Sequence, residues 1–161
     1  MTPDTNGAEP PYIPVRAWLQ RLLFAWQSQH PQAELRLDIS PDLDRFGLPA
    51  DLAIERALTN LLDNALQAQA SLIQIRALAR AGTLEIQVAD NGSGIPPATL
   101  EAIQQHQPLI STQGMGVGLL LGRGAVERRG GSLSFLSPAT GGATAHLCLP
   151  LVAMSETSDA G

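Results

Sequence analysis

From Val15 to Gln29 the apolar residues Val15, Trp18, Leu19, Leu22, Leu23 and Trp26 recur at intervals of three and four, which predicts an amphipathic helix. His30-Pro31 ends it, because the residue before a proline is pushed out of the helical region. Glu34 to Ile39 alternates instead, with Leu35, Leu37 and Ile39 on one side and Glu34, Arg36 and Asp38 on the other, the pattern of a half-buried strand followed by a Pro-Asp turn. A second helix is expected from about Pro49–Asp51 to Gln69, turning Leu52, Leu58, Leu61, Leu62, Ala65 and Leu66 to a core. Leu72–Ala79 and Thr83–Ala89 flank the short Arg80-Ala81-Gly82 connection and predict an antiparallel hairpin. Beyond it lies a long loop from Ile95 to Met115 with a short helix near Ala98–Gln105. A helix carrying Leu119, Leu120, Leu121, Ala125 and Val126 follows, then a second strand pair, Ser132–Ser137 and Ala143–Leu149.

This order, helix, strand, helix, hairpin, helix, hairpin, predicts an α+β domain with helices layered on one sheet face. At 161 residues, 44% of them apolar, the chain has the size and composition of one domain with a sizeable core. Residues 1–14 and 152–161 are small, polar or proline-rich and read as flexible extensions of a domain spanning 15–151. Fifteen acidic residues against ten basic ones give a net charge of −5, which disfavours nucleic acid as a partner. Every basic residue is arginine, so phosphate must be met by guanidinium groups, backbone amides or a metal. Cys148 reads as a small buried thiol in a strand. No basic leader precedes an apolar run and no stretch reaches the ~20 apolar residues of a bilayer span, so the segment is expected to be cytoplasmic without direct membrane contact.

Three stretches carry chemistry. Asn60 and Asn64, four apart, stack on one helix face and can present two amides to one ligand, or can serve as caps and solvent-facing side chains. A neutral amide oxygen suits a hydrated Mg²⁺ whose charge is balanced mainly by phosphates. Asp90 shares strand parity with Leu84, Ile86 and Val88, which sets a carboxylate at the edge of the core. Such a group needs hydrogen-bond donors, and the exocyclic amine of a purine is one; an Asp-Asn-Gly turn is the alternative. Gly92 and Gly94 permit close approach of a ligand. Gly114-Met115-Gly116-Val117-Gly118-Leu119 runs into a helix N-terminus, whose amides and dipole favour an anion. It lacks the Lys-Ser/Thr ending of a P-loop and the preceding strand of a dinucleotide fingerprint. His30, His106 and His146 have neither metal-ligand spacing nor a nucleophile partner.

In this order the three stretches resemble the N, G1 and G2 boxes of the ATP-binding catalytic domain of bacterial two-component sensor histidine kinases, in the superfamily shared with DNA gyrase, heat-shock chaperones and mismatch-repair ATPases. Gly130-Gly131 and Gly141 to Pro150 resemble the closing hairpin, so the likeness covers about Val15 to Leu151. It implies the Bergerat-type fold, a two-layer α/β sandwich with a mixed, mostly antiparallel sheet and about three helices on one face. It also implies ATP and Mg²⁺ as cofactors. By the same resemblance Asn64 would hold Mg²⁺, Asn60 would lie beside the phosphates and Asp90 would accept the adenine amine. Gly92, Gly94 and Ile95 would shape the base pocket, Gly114 to Leu119 would cradle phosphate, Thr144 would lie near the adenine, and Arg123 would contact phosphate.

Three departures qualify the likeness. Gln67 stands where relatives often carry a basic residue, and Pro108-Leu109-Ile110 replaces an aromatic-rich lid segment. No histidine has the setting of the family's phosphoacceptor, which is followed closely by an acidic residue. The expected partners are therefore a dimerisation domain bearing that histidine, outside this chain, and a downstream response regulator, with inner-membrane anchoring an open question for the full-length protein. Two alternatives keep the site: a stand-alone anti-sigma-type serine kinase, and a non-catalytic nucleotide-binding regulatory module.

Overall fold

The computed structural model describes residues 11–105, 115–138 and 141–154. Helix α1, Val15–Gln29, buries Val15, Trp18, Leu19, Leu23 and Trp26, the stripe its periodicity predicts. It ends at His30, whose ring stacks on Trp26 with centroids 4.2 Å apart. Helix α2, Leu52–Gln67, buries Ile54, Ala57, Leu58, Leu61, Leu62 and Ala65. The two helices are fastened side by side. The Trp18 Nε1–H donates to Glu55 Oε2 at 3.2 Å, and the Trp26 Nε1–H donates to Asp63 Oδ1 at 2.9 Å. Both tryptophans bury their apolar bodies while each indole N–H finds an acceptor.

The strands are β2 (Glu34–Ile39), β4 (Leu72–Arg80), β5 (Thr83–Asp90), β6 (Ser132–Leu136) and β7 (Ala143–Pro150), with β1 (Tyr12–Pro14), β3 (Phe46–Pro49) and β8 (Val152–Ala153) outside the main sheet. The main sheet runs β2-β4-β5-β7-β6, parallel between β2 and β4 and antiparallel elsewhere. Ile73, Ile75, Leu84, Ile86, Val88, Leu147 and Leu149 alternate onto one face and join the buried residues of α1, α2 and of α4 (Met115–Arg128) in one core cluster. A short helix α3, Pro97–Gln104, matches the one expected within the long loop. The mixed two-layer α/β sandwich anticipated from the sequence is the fold observed.

Four details differ. Leu37 is 45% exposed because β2 is an edge strand, and Leu52 is 60% exposed because it opens the first turn of α2 at the rim. Cys148 is half-buried, on the sheet face opposite Leu147 and Leu149. A 3-10 turn, Pro41–Arg45, capped by the Ser40 hydroxyl, leads into β3 where only a turn was expected. β1 and β8 pair antiparallel with β3, so Tyr12–Pro14 and Val152–Ala153, assigned from sequence to flexible ends, form a small second sheet. Strands of two to four residues are too short for alternation to reveal.

Asp51 caps α2: its Oδ1 accepts from the Ala53 N–H at 2.8 Å, and its Oδ2 accepts from the Arg129 Nε–H at 2.6 Å, near the end of α4. Burial alone would raise its pKa, but the Arg129 hydrogen bond and charge and the capping amides outweigh it and hold the carboxyl below its ordinary value. A depressed folded-state value contributes stability above the unfolded pKa and loses it as pH falls. Asp51→Ala should therefore cost about 1–2 kcal/mol at pH 7 in urea unfolding. That difference should shrink toward zero as the pH drops below about 4.

Candidate nucleotide site

A cavity opens between the C-terminal half of α2 and the ends of β5, β6 and β7. Counted together with the open solvent at its mouth, its non-atom space is about 410 Å³, and it is lined by Asn64, Asp90 and Thr144 among apolar and small residues. The space exists because small residues stop the core short. Along β7, Leu149 and Leu147 fill the interior, but Ala145 and Ala143 continue the same face without filling it. Ala68, just past α2, leaves the helix side equally shallow, while Val88 and Phe135 form apolar walls.

Asp90 ends β5 in register with Ala143. Its Oδ1 accepts the Gly92 N–H at 2.8 Å, an Asx-type turn that redirects the chain while the carboxylate stays at the cavity. Burial raises its pKa, opposed by hydrogen bonds from the Gly92 and Ala143 backbone. Next in sequence, Asn91 faces elsewhere: its Oδ1 accepts from the Ser71 and Leu72 amides at 2.9 and 3.0 Å, stitching the exit of β5 to the entry of β4. Gly92 lies so close to α2 that an added Cβ would sit 2.5 Å from the Ala68 carbonyl oxygen. Gly94 is buried with φ +89°, in the left-handed region that glycine alone adopts freely.

Asn64 projects from α2 into this cavity, and its Nδ2 is a buried polar atom without a hydrogen-bond partner. A native fold seldom leaves such a group unsatisfied, so the amide is positioned for a ligand. Since the two ends of an amide exchange by a half-turn of the side chain, the same position can present its oxygen. Among the described residues no group of three His, Cys, Asp or Glu side chains is arranged to hold a metal ion, so a cation here would draw its remaining ligands from water and the bound anion.

The structure thus brings together Asn64, Asp90, Gly94, Ile95 and Thr144, and sets Gly92 behind them. Asn60, one turn earlier on α2, lines an adjoining groove between α2 and α4 with Ala57, Gly122 and Ala125. Arg123 is only 7% exposed on α4 and is not among the described residues lining this cavity. Helix α4 starts at Met115, so Gly116 and Gly118 lie in its first turns rather than in a loop before it. The first amides of a helix have no internal acceptor, which keeps that end suited to an anion. Gly114 and the lid segment Pro108-Leu109-Ile110 lie outside the described residues. Sequence reasoning missed Phe135, Ala143 and Ala145; the available signal was β7's change from leucine to alanine on its inward face.

A carboxylate and an unsatisfied buried amide sharing one alanine-lined cavity of a two-layer α/β sandwich point to the nucleotide-binding class of domain. The chain belongs to the histidine kinase-, DNA gyrase B- and HSP90-like ATPases, whose family profile matches residues 50–153. Among curated proteins it is 32% identical over 128 residues to the sensor protein FixL of Bradyrhizobium diazoefficiens, covering 76% of this chain and 25% of FixL. It is 33% identical over 125 residues to the sensor-type histidine kinase PrrB of Mycobacterium tuberculosis, covering 75% of this chain and 28% of PrrB. The chain therefore spans about a quarter of the length of these relatives. Among solved structures, the mycobacterial sensor histidine kinase MprB superposes with a TM-score of 0.72 at 24% identity, covering 90% of this chain and 99% of that one. The ATP-binding domain of Mycobacterium tuberculosis PrrB gives 0.70 at 23% identity, covering 89% and 98%. Family and fold agree: this is an ATP-binding domain of the sensor-histidine-kinase type.

Two outcomes follow from the geometry. Gly92→Ala should abolish nucleotide binding in titration calorimetry, because its methyl group displaces the end of α2 from β5. For Asp90, the raised folded-state pKa means that the ionised carboxylate costs stability once pH rises through that value. Asp90→Asn should therefore leave the thermal midpoint of the nucleotide-free protein at pH 7 unchanged or higher, with the gain fading as pH falls toward the ordinary carboxylate range. Its ATP affinity should drop by about tenfold or more, from the loss of a hydrogen bond to a charged acceptor.

Proposed function

We propose that this domain binds Mg·ATP and presents the γ-phosphate to a histidine on a dimerisation domain outside this chain, feeding a response regulator. The observation that carries the reading is the unpartnered buried amide of Asn64 facing the same cavity as Asp90. Asp90 would accept the adenine amine, with Gly92, Gly94 and Ile95 shaping the base pocket and Thr144 at its edge. Asn64 would supply an oxygen to Mg²⁺, which when bound neutralises phosphate charge. Asn60, one turn earlier on α2, would lie beside the phosphates, which would run toward the start of α4 and its residues Gly114 to Leu119. Arg123 is the α4 guanidinium proposed to reach them.

Catalysis on this reading is positioning and charge neutralisation, with the nucleophile supplied in trans. The sensor-kinase relatives favour it over an anti-sigma-type serine kinase. His30 supports it too, since its stacking on Trp26 and its ring contact with the Trp26 carbonyl at 2.9 Å give it a structural place. Among the described residues no helix is long and apolar enough to cross a membrane.

Titration calorimetry tests the proposal. ATP should bind more tightly with Mg²⁺ than without it, and Asn64→Ala should remove that gain, roughly tenfold, while keeping metal-free binding. Equal metal dependence in both proteins would remove Asn64 from the metal site. Incubation with labelled ATP should leave no stable phosphate on His30, His106 or His146.

A further inference from the structure

One wall of the cavity is tied to its surroundings through a single hydroxyl. Ser137, directly after β6, is half-buried and 42 residues from Ile95 in sequence, yet its Oγ accepts the Ile95 N–H at 3.2 Å. The same hydroxyl donates to the Gly142 carbonyl oxygen at 3.3 Å. Gly142 in turn donates its N–H to the Gly92 carbonyl at 3.0 Å, which closes a circuit of three hydrogen bonds through both loops at the cavity mouth.

The circuit is tight as well as closed. A Cβ on Gly94 would lie 2.8 Å from Ser137 Oγ, and one on Gly142 would overlap the Asp90 carbonyl oxygen, so the three segments touch backbone to side chain. Ser137 saturates one donor and one acceptor between them, a role that only a small hydroxyl side chain fills at this separation. Through these bonds the Gly94–Ile95 wall is held at a fixed distance from the start of β7, which carries Ala143, Thr144 and Ala145.

We infer that Ser137 is a positioning residue that sets the width of the base pocket and, with it, the preference for adenine over other bases. It touches no reacting atom and does not line the cavity itself; it acts through Ile95 and Gly142. Without its hydroxyl, the Ile95 amide and the Gly142 carbonyl lose a partner, and the Gly94–Ile95 wall is free to move outward. A wider slot holds a flat base less firmly and discriminates less among purines, because Asp90's selection of an amine over a carbonyl depends on the base being held in one plane.

This inference rests on the domain being an ATP site, so its test has one arm that needs no nucleotide. In the nucleotide-free protein, hydrogen exchange at the Ile95 amide should speed up about tenfold in Ser137→Ala and return toward the native rate in Ser137→Thr. In calorimetry, Ser137→Ala should weaken ADP binding about tenfold while GDP binding changes little, and Ser137→Thr should restore the preference. Unchanged exchange at Ile95, or ADP and GDP weakened by the same factor, would overturn the positioning role. Failure of the unaltered protein to bind ADP would count against the ATP site instead, and the exchange result would still decide whether Ser137 orders the wall. The urea midpoint of each variant checks that the fold is intact.

Discussion

The contact on which the site depends is between two stretches of backbone: Gly92 against the Ala68 carbonyl at the end of α2, with the Ser93 N–H donating to that same oxygen at 2.8 Å. Asn64 is fixed on α2 and Asp90 on β5, so their separation is set wherever helix and strand are joined. Here the joint lies one helical turn from the amide and two residues from the carboxylate. A side chain at position 92 would hold helix and strand apart, and the amide and the carboxylate would no longer share one cavity. Asn91 reinforces the joint from the other side, by tying the exit of β5 to Ser71 and Leu72 just beyond that helix.

Around this joint, the cavity is made by what the core leaves out. The inward faces of β5 and β7 are filled by Leu84, Ile86, Leu147 and Leu149 and then give way to Asp90, Ala143 and Ala145. Dense packing therefore continues along both strands to the edge of the cavity. The polar groups are few and unequal: a carboxylate raised by desolvation, and an amide with an unused valence. Both are costly in the empty domain, and on the proposed function part of the binding energy would be the relief of groups held ready for the ligand.

Much of this was legible in the chain. α1, the β4–β5 hairpin and the β6–β7 pair appear where periodicity and turn chemistry predict them, and strand parity alone set Asp90 on the core side. The pairing of Asn64 with Asp90 was not legible from spacing, since the residues are on different elements, and came from the ordered resemblance of three motifs. What escaped had physical reasons. The small β1-β3-β8 sheet is built from strands too short to alternate visibly. That Asn60 faces the α2–α4 groove was also not legible, since helical spacing says only that two side chains share a face, not what lies opposite each. The cavity walls at Ala143 and Ala145 escaped because alanine is informative only once its neighbours are known.

The paired indoles of α1 bear on how the domain transmits force. Trp18 and Trp26 are eight residues apart, and so are their acceptors Glu55 and Asp63, so α1 and α2 lie parallel and locked in register at two points. Sliding one helix past the other by a single turn, about 5.4 Å, would carry both indoles out of reach of their acceptors. The second bond grips Asp63, the immediate neighbour of Asn64. The position of α1 along α2 is therefore tied to the turn of α2 that carries Asn64, so the helix that covers the sheet is also joined to the wall of the cavity.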